Sequence, residues 1–143
     1  MKCWTVFALV LGSASVLALG SPQLSAQVCA DEEGMVNYYK KDVADLVATV
    51  KKESIQDFER AFHQKVMTTH LTFFGGTVDG LLNCLQKRAN DSTTPKEDAE
   101  AAKGKIDAYN KLKDKIKADR DALKAAQTGK DAKALIEKFA FTG

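Results

Sequence analysis

The chain has 143 residues, 21 lysines and arginines against 19 aspartates and glutamates, and a formal net charge of +2 at pH 7. That length suits one domain, and so even a balance gives no general attraction to nucleic acid, whose binders usually show a strongly basic face. With two histidines and three cysteines, few side chains are available for metal or nucleophilic chemistry.

The N-terminal stretch Met1 to Ala26 has the layout of a secretory signal peptide. Lys2 gives the positive start, Trp4 to Leu19 is apolar and uncharged, and a small polar segment follows. Cleavage is expected after Ala26 (Leu-Ser-Ala) or after Gly20 (Ala-Leu-Gly). The apolar run of 16 residues falls short of the roughly 20 needed to span a bilayer, so an uncleaved anchor is the weaker reading. Residues 27–143 then form a single domain with 20 basic and 19 acidic side chains. Loss of the leader removes Cys3, and the remaining Cys29 and Cys84 are expected to pair, as thiols do in oxidising compartments.

Beyond Cys29 the pattern is helical throughout. A first helix is expected over residues 31–52, with Val36, Tyr39, Val43, Leu46, Val47 and Val50 on one face. Its acidic start, Asp31 to Glu33, suits the positive end of the helix dipole. Ser54 reads as an N-cap, opening a second helix from Ile55 to about Phe74. Ile55, Phe58, Phe62, Val66 and Phe73 form its apolar stripe, broadened by Met67 and Phe74, and this helix is expected to be the most buried. Gly75 and Gly76 should stop or kink it, with helix resuming from Thr77 to Arg88. Ala89 to Thr94 reads as a surface loop. Thr94-Pro95-Lys96-Glu97 then carries a cap, a first-turn proline and a capping-box partner. The long helix that follows presents Ala99, Ala102, Ile106, Tyr109, Leu112, Ile116 and Leu123, with a bend near Asp119 or a protruding end expected from its length. Gly129 should end that region, and a last helix from Asp131 to about Phe139 offers Leu135, Ile136 and Phe139 to the core. The fold class is therefore all-α, a disulfide-stapled bundle of four or five helices.

Catalytic constellations are not legible. His63 and His70 share a helix face but lie about 10.5 Å apart along the axis, too far to hold one metal ion together. Neither has a recognisable nucleophile beside it, so no enzyme, metal or cofactor is expected. Lys113, Lys117, Arg120 and Lys124 recur at spacings of four, three and four, making a basic ridge on the long helix. The ridge is either a partner-binding face, for a sulfated glycan, an acidic protein surface or anionic lipid, or simply a solvated helix face. Phe58, Phe62 and Phe73 either line a hydrophobic pocket or belong to an ordinary core. Asn90-Asp91-Ser92 matches the N-glycosylation acceptor pattern within the expected loop.

A leader, a mature chain of about 117 residues, and the segment Asp79-Gly80-Leu81-Leu82-Asn83-Cys84 within an all-helical pattern carry one resemblance. In this layout the chain resembles the small salivary proteins of anopheline mosquitoes typified by albicin and anophensin. The resemblance implies evasion of host immunity or interference with haemostasis through binding of plasma proteins. The implied targets are the alternative-pathway complement convertase or factors of the contact (kallikrein–kinin) system. The leading expectation is thus a secreted, non-enzymatic inhibitor that blocks a host complex sterically, with the ridge as part of its face. The alternative is a secreted carrier of a small hydrophobic ligand held around Phe58, Phe62 and Phe73.

Overall fold

The computed structural model describes residues 29–141. The expected signal peptide lies outside the described residues. Four helices account for the architecture: α1 (Ala30–Lys52), α2 (Arg60–Asn90), α3 (Lys96–Ala125) and α4 (Gly129–Ile136), with no strand among the described residues. None of them is long and apolar enough to cross a membrane. The all-α, disulfide-stapled bundle holds, with four helices among the described residues.

α2 is the central element. α1 runs antiparallel to it, as partners pair in opposing order: Cys29 with Cys84, Tyr39 with Phe74, Asp42 with His70, and Glu53 with His63. α3 lies antiparallel on another side of α2, where Lys113 meets Asp79 and Gln64 meets the Leu123 carbonyl. The short α4 touches all three. The core runs along α2 through Met67, Leu71, Phe74, Val78, Leu81, Leu82 and Leu85. Val36, Val43, Val47 and Val50 close it from α1, Ile116 and Leu123 from α3, and Ala132 and Ile136 from α4. The chain after α4 then folds back. Phe141 sets its ring edge-on to Phe74 at 5.4 Å and beneath the Lys115 ammonium at 4.8 Å, so the aromatic cluster extends two residues beyond Phe139.

Several expected boundaries move. Ser54 caps a single turn, accepting from the Asp57 N–H at 3.2 Å, and α2 begins only at Arg60. The stripe expected from Ile55 through Phe73 is not the buried one, since α2 packs through Met67, Leu71, Phe74 and Val78. Phe58 is buried in the connecting turn, whereas Ile55, Phe62 and Phe73 are exposed. Gly75 and Gly76 neither stop nor break α2, because its flanking apolar residues Leu71, Phe74 and Val78 are fully buried against neighbouring helices. That burial outweighs the roughly 1 kcal/mol that each mid-helix glycine costs. The Thr94 capping box does not form, and the Thr94 hydroxyl is buried without a hydrogen-bond partner. α3 is helical through Asp119. Gly129 opens α4 instead of closing α3, under a cap by Thr128, whose hydroxyl oxygen accepts from the Asp131 N–H at 3.0 Å. The carbonyls left open at the end of α3 are served from α2: Gln64 donates to Leu123 at 2.5 Å and Arg60 to Ala126 at 3.2 Å.

Candidate functional site

Cys29 and Cys84 are bridged, with an S–S distance of 2.01 Å and Cα atoms 6.0 Å apart. Cys29 takes left-handed backbone angles (φ 64°) just before α1, a conformation that costs an L residue on the order of 1–3 kcal/mol. The bridge fixes the start of α1 to the last third of α2 and so holds the α1–α2 seam in register. Glu32 lies against the two sulfurs, but neither can act as a thiolate ligand while bridged.

Along one edge of that seam, apolar side chains face solvent. Met35 and Tyr38 on α1 are 48% and 61% exposed, and Phe62 and Phe73 on α2 are 56% and 58% exposed. Their placement follows from helical spacing. Tyr38 lies four residues before Asp42, Phe73 lies three after His70, and Asp42 Oδ2 contacts His70 Nδ1. At the far end, Phe62 closes a cleft of about 190 Å³ lined by Leu46, Val50, Val66 and Met67. From Met35 to Glu53 this edge extends about 27 Å. Sequence reasoning missed Met35 and Tyr38. The signal was present in that each stands one residue before a member of the α1 stripe, Val36 and Tyr39, and so at its margin.

Both histidines bridge α1 and α2 on this edge. His63 Nε2 lies 2.8 Å from Glu53 Oε2 without hydrogen-bond alignment, so that oxygen is buried with no hydrogen-bond partner. The His63 ring also stacks on Phe58 at 4.8 Å and meets Phe62 edge-on at 5.2 Å. Each histidine thus has its own carboxylate, and they share no common ligand point.

Phe58, Phe62 and Phe73 do not surround one cavity. Phe58 is buried under His63, Phe62 closes the cleft, and Phe73 stands in solvent eleven residues further along α2. The cleft is smaller than the roughly 300–1,000 Å³ of small-molecule sites.

The basic ridge faces a groove between α2 and α3. Lys113 pairs with Asp79 at 2.6 Å, Lys117 with Asp121 at 2.8 Å, and Arg120 with Asp121 at 3.4 Å. Hydrogen bonding from Lys117 holds the Asp121 carboxyl below the usual carboxylate range, and the Asp79 carboxylate raises the Lys113 ammonium. Lys124 makes no ion pair among the described residues. Asn90 is exposed, but it is the last residue of α2, and the loop expected to carry it begins one residue later at Asp91. Comparison with known protein families, with curated proteins and with solved structures finds no match to this chain.

Proposed function

We propose that this is a secreted, non-enzymatic protein that binds and inhibits host plasma proteins, either the alternative-pathway convertase of complement or factors of the contact system. The observation that carries this reading is the aromatic edge of the α1–α2 seam. A row of Met35, Tyr38, Phe73 and Phe62 in solvent has the composition of the buried centre of a protein interface, where Tyr, Phe and Met are enriched. A helical frame under a disulfide presents these side chains with little ordering left to do on binding, which favours affinity. The leader pattern and the bridge both suit an oxidising, extracellular setting. The seam is the better contact face than the ridge, because three of the four ridge cations already hold carboxylates of this chain.

The test is a pull-down from vertebrate plasma with the refolded mature domain, followed by complement and clotting-time assays. The expected result is capture of a complement or contact factor and inhibition in the matching assay. A Tyr38→Ala/Phe73→Ala variant with an unchanged circular dichroism spectrum should lose roughly a hundredfold in affinity, as expected for two interface anchors. No captured plasma protein and no effect in either assay would reject the reading.

A further inference from the structure

The groove between α2 and α3 has a feature that a solvated helix face does not require. One stretch is lined by Ala61, Thr68, Thr69 and Lys65 of α2 with Lys124 of α3. The next is lined by Thr72, Gly75, Gly76 and Asp79 of α2 with Lys113, Lys117 and Arg120 of α3. The two follow each other along the same pair of helices, so the groove runs about 27 Å from Ala61 to Asp79. All four ridge cations and Lys65 stand along it. Set against Asp79 and Asp121, these five cations leave the groove at +3, in a chain whose total formal charge is +2. The remaining side chains of the chain therefore sum to −1. Its α2 wall is low: a Cβ placed on Gly76 would meet nothing within 4 Å.

We propose that this groove binds a linear sulfated polysaccharide, with the sulfates running along Lys113, Lys117, Arg120 and Lys124. The cations recur at about 4.5–6 Å along the axis, a one-dimensional array suited to a chain of regularly placed anions. The lining residues include no aromatic side chain, so the stacking platform used by single-stranded nucleic-acid binders is missing from this channel. Hydroxyls of Thr69 and Thr72, already turned to backbone carbonyls of their own helix, leave charge as the main source of attraction. The cations stand in one line between two helices, which suits a thin chain better than a flat membrane. Asp79 and Asp121 hold their partners only in exposed pairs, which solvent and salt screen, so sulfates can displace them.

This surface is separate from the aromatic edge, so the two readings stand or fall independently. The probe is heparin, titrated calorimetrically into the mature protein at about 0.15 M ionic strength, with hyaluronan as the unsulfated counterpart. Heparin should bind, with affinity falling steeply as salt rises, and hyaluronan should not. Lys117→Ala/Lys124→Ala should weaken binding roughly tenfold or more, as two lost charge contacts predict. Gly76→Leu, which raises the α2 wall without changing charge, should weaken it as well. Lys41→Ala/Lys52→Ala, away from the groove, should leave it unchanged. No heparin binding, equal loss in the α1 variant, or full binding by Gly76→Leu overturns the proposal. Polyglutamate or phosphatidylserine vesicles binding as tightly as heparin would also overturn it, pointing instead to an acidic protein or a membrane.

Discussion

The Asp91 carboxylate accepts two hydrogen bonds of 2.8 Å from Thr93, one from the backbone N–H and one from the hydroxyl. These bonds favour the charged form and hold its pKa below the usual carboxylate range, the backbone bond contributing most. A depressed folded-state value means that the stabilisation is present above the unfolded pKa of about 4 and is lost as pH falls through the folded one. Thr93→Val removes the hydroxyl donor and keeps the N–H. Its Asp91 carboxyl, followed by NMR titration, should therefore shift part of the way back up. A midpoint identical to that of the parent protein would show that the hydroxyl contributes nothing. The same scale shows where sequence reading reached its limit. Phe62 and Phe73 look like core residues in any one-dimensional stripe, but α2 packs through Met67, Leu71, Phe74, Val78 and Leu81, and that choice of face leaves them outward.

α2 shows the corresponding limit for an element. Two consecutive glycines are a reasonable place to end a helix when only local propensity is read. What carries α2 through them is non-local: Leu71, Phe74, Val78 and Leu81 are fully buried against helices that a local reading cannot place. By contrast, α1 was legible almost to the residue, because its acidic start, valine-rich stripe and basic end are all local signals. The long α3 was legible as well, although its cap was not. The final aromatic Phe141 went unread because it lies outside any periodic pattern. Since a Cβ at Gly76 meets open space, Gly76→Ala should raise stability by about 1 kcal/mol, read as a higher denaturant midpoint with an unchanged slope. A lower midpoint would mean that the helix backbone at Gly76 depends on the absence of a side chain.

For the whole molecule, the Cys29–Cys84 bridge is the largest single constraint. It closes a loop of 55 residues, which on the chain-entropy picture stabilises the fold by about 4 kcal/mol. That is a large share of the roughly 5–15 kcal/mol typical of small domains. Cys29→Ser/Cys84→Ser should therefore lower unfolding free energy by up to about 4 kcal/mol, offset in part by freedom for residue 29 to leave its left-handed conformation. Equilibrium unfolding in urea measures this directly, and a loss below about 1 kcal/mol would place the stability in helix packing alone. The pairing was legible once Cys3 had been assigned to the leader. Its consequence for the seam was not, because the registry of α1 on α2 depends on where both helices lie.

The position of the bridge also divides the molecule in its response to proteases. Residues 29–84 form a covalent ring that includes the exposed turn after α1, whereas the loop from Asp91 to Pro95 lies outside it. A single cut in the first turn leaves one connected molecule, with both faces of the seam still joined. A single cut in the second leaves α3 and α4 attached only by their contacts. The aromatic edge can thus survive a nick that would set the wall of the cationic groove adrift, and the two surfaces of this protein would differ in working lifetime wherever proteases are active.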